Sequence, residues 1–421
     1  MSQRPASRAR LTHRGQVFVG AGAGLVIAGL GLGYGDITRV GLFLLLLSLF
    51  AVLLSSSRAS GLRLQRTISP SVLHPDQPAA VKGVFTNTGR RTTRFGAAQD
   101  RIDASLGDRP RYTMASITPQ GTATVNYTVR GRARGMHALG PTVIEHPNPF
   151  GLCTSTSVVA ATDRILVLPR TFPLPTERLP SATGGNGDTG HSIALHGEQD
   201  ISIRSYVEGD ELRRIHWPAT AHRGQLMVRQ EDRPERKHAL LLLDARSGIH
   251  QFDGAYSSFE WAVSALASIG LHLNSLSYQT HLLSPETLAS GSFQSPAADE
   301  TLLRSLATAA ACADEVHEGV LVQGARMAAA GTTIVAVVTD ASGPYLLDLA
   351  AACGRGAVGI AIVIDTAAYS RPSPHTSSSA EHVQQLFAHS GWRTTIAGPD
   401  TGIPAAWRAA AGDRRIKAMP R

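Results

Sequence analysis

The chain is 421 residues long, room for two or three domains at roughly 150 residues each. Lys+Arg (40) exceed Asp+Glu (32) and the basic side is almost all arginine, so charge alone points to an acidic protein, an anionic lipid surface or nucleic acid as partner. The 3 cysteines, Cys153, Cys312 and Cys353, stand far apart without C-x-x-C spacing, which argues against a disulfide framework and a cysteine zinc site, and fits a reducing compartment.

Residues 1–15 form a basic N-terminus carrying Arg4, Arg8, Arg10, His13 and Arg14 and no acid. Residues 16–57 hold two uncharged runs, Val17–Tyr34 and Val40–Leu54, joined by the tight connector Gly35-Asp36-Ile37-Thr38-Arg39. At about 1.5 Å per residue, each run is near the length that crosses a roughly 30 Å hydrocarbon core, so a transmembrane helical hairpin is expected. Gly20 and Gly24, and then Gly29 and Gly33, sit four apart and are expected to let the partner backbone come close. Both outer flanks are basic, the second through Arg58, Arg63 and Arg66, so both termini are expected in the cytoplasm of a two-span cell-membrane protein. A secretory signal would have a shorter apolar core and a small-residue cleavage site.

From 61 to 170 the pattern turns to period-two alternation: Leu62–Arg66, Ala80–Phe85, Ala123–Val129 and Ile165–Leu168. Turn chemistry such as Asn87-Thr88-Gly89 and Thr118-Pro119-Gln120-Gly121 separates these runs, and a β-sandwich is expected. Arg130, Arg132 and Arg134 either meet lipid headgroups or a partner, or form a solvated strand face; nothing here has a catalytic pattern. Residues 171–197, with several prolines and then Gly184-Gly185-Asn186-Gly187-Asp188, read as a linker or loop.

Residues 198–236 are rich in arginine: Arg204, Arg213, Arg214, Arg223 and Arg229 alternate with Asp200, Glu208, Asp210, Glu211 and Glu231. Such density permits bidentate arginine–carboxylate pairs. Gly209-Asp210 should turn tightly and Leu226-Met227-Val228 should be a strand. Asp210, Arg213, His216 and His222 could make a polar site. The alternative is an ion-pair network that pins an irregular connector onto the next domain, and the lack of any nucleophile–base or metal-ligand spacing favours it.

The run Tyr206-Val207-Glu208-Gly209-Asp210…Arg213-Arg214-Ile215-His216-Trp217, followed by Gly224-x-Leu226-Met227-Val228-Arg229, resembles the signature of the bacterial "domain of unknown function 58" (DUF58) family. Leu11-Thr12-x-Arg14-Gly15, Arg134-Gly135-x-His137-x-Leu139-Gly140-Pro141 and Pro149-Phe150-Gly151-Leu152 extend the resemblance from the hairpin to about Asp244. Asn148 and Thr220-Ala221-His222 depart from the family's usual aspartate and Ser-Ala-Arg. The resemblance implies a membrane-anchored protein ending in a von Willebrand factor type A-like domain, with a MoxR-type AAA+ ATPase as partner and no enzymatic activity. It marks Tyr206, Gly209, Asp210, Arg213, Arg214, His216, Trp217, Arg223 and Arg229 as interaction candidates.

Residues 237–421 alternate strands and helices: strands at His238–Asp244, Thr333–Asp340, Val358–Asp365 and Trp392–Ala397, helices at about Ser257–Leu273, Tyr345–Ala352 and Glu381–Ala388. This pattern predicts a doubly wound parallel α/β sheet, with Asp244, Asp340 and Asp365 at the strand ends where ligands sit. A magnesium-binding type A domain uses Asp-x-Ser-x-Ser after its first strand, and here the run is Asp244-Ala245-Arg246-Ser247-Gly248. Asp244 and Asp340 are the only matching candidates for the metal, and an arginine beside them would compete with a cation, so no cofactor is expected. Asp244 is expected instead to pair with Arg246 or to cap a helix. No Walker loop or GxGxxG follows a strand, and nucleic acid is not an expected partner. The whole predicts a membrane-tethered, non-enzymatic interaction or assembly protein; the alternatives are a metal-dependent hydrolase using Asp244, Asp340 and the His216/His222 region, or an anionic-lipid or polyanion binder.

Overall fold

The computed structural model describes residues 8–55, 61–93, 96–147, 150–177, 201–206, 213, 215–231, 237–251, 257–328, 332–341, 343–353, 356–370 and 376–412. The chain divides into two compact units, one running as far as Arg170 and including Leu303–Ala309, the other comprising the rest.

The first unit opens with strand β1 (Arg8–Leu11) and two helices, α1 (His13–Leu32) and α2 (Gly35–Ser55), both long and apolar enough to cross a membrane. Thr12 starts α1 by accepting from the Gly15 amide at 3.2 Å, and Gly33, at φ 73°, ends it in the left-handed conformation that suits a residue without Cβ. The helices approach each other through Gly22, Gly29 and Gly41: a Cβ on Gly22 would lie 3.0 Å from the Gly41 carbonyl oxygen, and one on Gly29 would lie 2.4 Å from Thr38 Oγ1. Of the glycines expected to face the partner helix, Gly29 does so. Gly20, Gly24 and Gly33 have open space around them, and four-residue spacing alone did not identify the facing side.

The part of the chain expected to be a basic N-terminus supplies β1, which pairs antiparallel with β9. In chain order the remaining strands of this unit are β2 (Leu62–Ser69), β3 (Val72–Leu73), β4 (Pro78–Asn87), β5 (Gly96–Ile102), β6 (Arg111–Met114), β7 (Thr122–Arg130), β8 (Gly135–Pro147), β9 (Cys153–Val159) and β10 (Asp163–Val167). They form a three-stranded sheet β2-β4-β7 and a seven-stranded sheet built on β1-β9-β8-β10-β3, with β5 and β6 branching from β8. Val81 and Val129 of the small sheet share one buried cluster with Leu139, Ile165 and Val167 of the large one, so the two sheets face each other across a common core. Two of the turns foreseen from sequence are tied together by buried Asn87. Its Nδ2 donates to the carbonyls of Arg91, Ile117 and Thr118, while its Oδ1 accepts from the Gly89 amide at 3.0 Å.

Between the sheets lies an ion pair that alternation could not reveal. The Arg66 and Asp100 side chains are both 0% exposed. All of the guanidinium N–H groups are used: Nε and Nη2 on Asp100 at 3.3 and 3.1 Å, Nη1 on Asp163 and the Ala161 carbonyl at 2.9 Å each, and Nη2 also on Thr142 Oγ1 at 2.7 Å. Asp100 also accepts from the hydroxyls of Thr142, Tyr127 and Tyr112. Burial alone would raise its pKa, and the hydrogen bonds from Arg66, Thr142 and Tyr127 bring it below the ordinary carboxylate value. Burial and the Asp100 charge push both tyrosine hydroxyls far up. Gly140, from the DUF58-like motif, makes room here: a Cβ on it would meet the Ala161 oxygen at 2.2 Å and Arg66 Nη1 at 3.2 Å.

The second unit contains β11 (Ile201–Ser205), α3 (Trp217–Arg223), β12 (Met227–Glu231), β13 (His238–Leu243), α4 (Ser258–Ser275), β14 (Gln279–Leu283), α5 (Pro285–Ser290), the start of α6 (Asp299–Thr308, which belongs to the first unit from Leu303 on), α7 (Asp314–Met327), β15 (Thr333–Thr339), α8 (Pro344–Ala350), β16 (Val358–Ile364), α9 (Thr366–Ser370), α10 (Ser378–His389), β17 (Arg393–Ala397) and α11 (Ile403–Ala411). β11 and β12 form an antiparallel pair, and the other five strands make a parallel sheet in the order β14-β13-β15-β16-β17. β15 is buried along its whole length, as a continuous apolar run in a covered parallel strand should be. α7, α8 and α10 cover one face through Val320, Leu346 and Phe387. In residues 237–421 the strands and helices foreseen are found within a few residues of their expected bounds; β14, α5, α6, α7, α9 and α11 are additions.

Replacing Arg66 by alanine would strand the Asp100 carboxylate without water, and breaking such a pair costs about 3–5 kcal/mol. The urea midpoint of Arg66→Ala should fall accordingly, and the isosteric apolar double variant Arg66→Met/Asp100→Leu should recover part of the loss.

Candidate functional site

In the parallel sheet the chain passes from β13 out to β14 on one side and returns to β15 on the other. Ligands of such sheets bind at this reversal, beyond the carboxyl ends of the strands. Asp244 follows β13 there and Thr339 ends β15; both are buried, at 1% and 0% exposure.

Asp244 is enclosed by hydrogen-bond donors. Its Oδ1 accepts from the Arg246 amide at 3.3 Å and from Arg246 Nε at 3.0 Å, with His317 Nε2 also at 3.3 Å. Its Oδ2 accepts from Arg246 Nη2 at 2.6 Å, the Thr339 amide at 3.0 Å and Thr339 Oγ1 at 2.7 Å. Those groups outnumber the roughly four lone-pair sites of a carboxylate. Arg246 is itself 1% exposed; Nη2 reaches on to Thr339 Oγ1 and the Ala341 carbonyl at 2.8 and 3.4 Å, and the guanidinium lies 5.0 Å from the centre of the Tyr345 ring. Of the two alternatives for Asp244, the pair with Arg246 is the one found.

Two histidines complete the cluster. His250 Nε2 lies 2.8 Å from the Asp244 carbonyl oxygen, which can only accept, so that nitrogen carries the proton and Nδ1 accepts from Ser258 Oγ at 2.9 Å. By the same reasoning His317 Nε2 donates to Asp244, and its Nδ1 is buried without a partner among the described residues. Burial pushes both imidazole pKa values down against the pull of Asp244. Burial would raise the Asp244 pKa, and the Arg246 pair overrides it, holding the carboxyl well below the ordinary value.

Asp340 does not join this cluster. Successive strand residues face opposite ways, so Thr339 meets Asp244 while Asp340 accepts from Thr366 Oγ1 at 2.6 Å and Ser379 Oγ at 3.0 Å. Asp365 accepts from the Ser377 amide at 2.9 Å. A magnesium or manganese ion would need oxygen ligands around Asp244. The carboxylate has no free lone pair to give and a guanidinium lies against it, so these residues do not fit a resident metal. Among the described residues no group of three or more His, Cys, Asp or Glu has metal-holding geometry.

The arginine-rich region is less enclosed. His216 caps α3 by accepting from the Ala219 amide at Nδ1, 3.1 Å away, and Trp217 in the first turn is 66% exposed. The Tyr206 amide donates to the Leu226 carbonyl at 2.8 Å, bracing the β11–β12 pair. Arg213, His222 and Arg223 are exposed, and no ion pair forms on Arg213 or Arg223 among the described residues. Arg229 lies on β12 opposite Ile203. Gly209, Asp210 and Arg214, with the turn expected at Gly209-Asp210, lie outside the described residues, as do the side chains of Arg204 and Arg229; the expected ion-pair network falls largely there. His216 and His222 therefore do not meet Asp244 through any described bond. Sequence reasoning missed His250, His317 and Thr339 as partners of Asp244. They come from separate elements and lack a shared spacing, and only the strand-end position of Thr339 hinted at its role.

Residues 202–372 match the model of the family described as "Protein of unknown function DUF58". The match starts inside the arginine-rich region and extends well past Asp244, while the motif-like residues in the hairpin and the β-rich unit lie outside it. No curated protein matches the chain. Among solved structures, the alkylpurine DNA glycosylase AlkC of Pseudomonas fluorescens is similar at 10% identity and TM-score 0.20, covering 32% of this chain and 39% of the glycosylase. The CARDB domain of the PF1109 protein from Pyrococcus furiosus shows 14% identity and TM-score 0.19 over 25% of this chain and 87% of that domain. The ApaA protein from Bordetella pertussis shows 12% identity and TM-score 0.20 over 25% of this chain and 91% of its own. Likeness at this level carries no functional argument.

The buried cluster predicts a pH dependence. His250 and His317 ordinarily titrate near 6.5 but do so lower when folded, and Asp244 likewise titrates below its ordinary 3.8. In each case the unfolded chain binds more protons, so stability falls as pH drops below about 6.5 and falls again below about 3.8. Thermal melts across this range should show the upper decline shrink in His317→Gln, whose amide does not titrate.

Proposed function

We propose that this is a membrane-anchored, non-catalytic protein that presents its α/β unit to a protein partner. The hairpin anchors it in the cell membrane with both termini in the cytoplasm, the β-rich unit is a juxtamembrane sandwich, and the α/β unit is a von Willebrand factor A-like module. The partner class is a MoxR-type AAA+ ATPase, and membership of the DUF58 family, supported by the match over 202–372, is part of the same reading. The observation that carries it is the saturated Asp244: at the position where such a sheet would hold a ligand, the carboxylate is spent on the chain's own donors. The same saturation weighs against a metal-dependent hydrolase.

Anchoring is supported by side chains that water would not tolerate together. Ile27, Leu30, Leu46 and Leu53 are each more than half exposed along two uncharged helical stretches. The interaction reading draws on α3, a seven-residue helix that exposes Trp217 at its start and His222 and Arg223 at its end; aromatic and arginine side chains are the usual anchors of protein interfaces.

Two measurements test this. The full-length chain should remain in the membrane pellet after an alkaline carbonate wash, and its release would remove the anchoring. Purification in mild detergent should bring down a MoxR-type ATPase identified by mass spectrometry, with at least about tenfold less captured by Trp217→Ala/Arg223→Glu, as loss of an interface anchor predicts. Recovery of no such ATPase above the level of an unrelated membrane protein would overturn the partnership.

A further inference from the structure

We infer that Arg246 is the resident cation of the switch-point site: the chain supplies its own fixed positive charge where Asp244, Thr339 and His317 would otherwise form a divalent-cation site. This goes beyond the partner reading and stands without it.

The geometry has three parts. Thr339 Oγ1 meets Asp244 at Oδ2 and His317 Nε2 meets it at Oδ1, so hydroxyl, carboxylate and imidazole come together from β15, the end of β13 and α7; with the imidazole proton moved to Nδ1, this is an oxygen and nitrogen set of the kind manganese or cobalt accepts. Arg246 then takes both carboxylate oxygens in a fork, through Nε at 3.0 Å and Nη2 at 2.6 Å, and the same Nη2 takes Thr339 Oγ1 at 2.8 Å. One guanidinium thus contacts two of the groups an ion would need and repels any second cation brought there. Finally, the group is locked in. Tyr345 lies over it at 5.0 Å, the Ala341 carbonyl accepts from it, and the Cys312 amide and carbonyl bond to Ala245 and Ser247 on either side of its backbone. The loops after β13 and β15 are thereby tied by a charge that neither dissociates nor responds to chelators.

The test titrates manganese alone into the purified full-length chain, by calorimetry and by thermal melting with and without EDTA. The wild type should show no saturable binding and no shift of Tm. Arg246→Ser removes the guanidinium and leaves a hydroxyl; it should melt lower and regain about 5 °C or more at saturating manganese, with the gain lost in Arg246→Ser/Asp244→Asn. Arg246→Lys keeps a cation in a similar space and should stay indifferent to manganese. Saturable wild-type binding abolished by Asp244→Asn would overturn the inference. So would an Arg246→Ser protein that manganese does not stabilise, including one that fails to fold in its presence. If Arg246→Lys bound manganese as Arg246→Ser does, the site would be blocked by shape rather than charge, and the inference would fall as well.

Discussion

A carboxylate taken out of water has to be answered by donors, and in each unit of this protein an arginine meets that demand. Asp100 in the β-rich unit and Asp244 in the α/β unit are buried and take two guanidinium nitrogens each. Isolated buried charges cost far more than a hydrogen bond returns, so the surrounding elements are placed to complete both networks. Around Asp100 that means β2, β5, β8 and β10 in one register across two sheets. Around Asp244 it means that β13 and β15 end, and α7 begins, at one point.

The two pairs differ in reach. Arg66 joins residues 34 and 97 positions away, so it acts as a clasp between sheets and depends on the folded topology. Arg246 pairs with a residue two positions before it and closes its own loop. The first makes the arrangement of sheets specific. The second lies at the edge of a sheet where ligands ordinarily bind, and there the Asp244 carboxylate is taken up by the chain's own donors.

A third junction connects the apolar hairpin to the β-rich unit. Thr12 donates through its amide to the Leu152 carbonyl at 3.0 Å and through its hydroxyl to the Gly151 carbonyl at 2.7 Å. A Cβ on Gly15 would lie 2.1 Å from the Leu152 oxygen, so this helix start admits only glycine without rearrangement. Ala51 and Leu47 of α2 pack on Leu152 and Cys153, whose thiol donates to the Ala51 carbonyl at 3.2 Å. Residues 11–15 and 150–152, from two of the short motifs that resemble DUF58 proteins, therefore meet in space. Their sequence content is explained by one joint that fixes how the helices enter the β-rich unit.

By itself the sequence determined the classes of element: two uncharged runs of spanning length, alternating strands separated by Asn-Thr-Gly and Pro-Gln-Gly turns, and apolar runs ending in Asp244, Asp340 and Asp365. These are local patterns whose period or length carries the information. It also placed Arg246 beside Asp244, because that pair is two residues apart. Tertiary structure decided what spacing cannot encode. Arg66 reads as a basic flank of the hairpin at the end of a short alternating run, and Asp100 lies in none of the alternating runs; only the sheets bring them together. Helix α7, with Gly319 and Gly324 lowering its local helical signal, forms because its apolar side packs on the sheet, and it carries His317 to Asp244. Which glycines faced across the hairpin was settled by helix rotation, and which of Thr339 and Asp340 faced Asp244 by the two-residue period of β15. Both choices belong to packing, since neither residue's neighbours along the chain differ enough to make them.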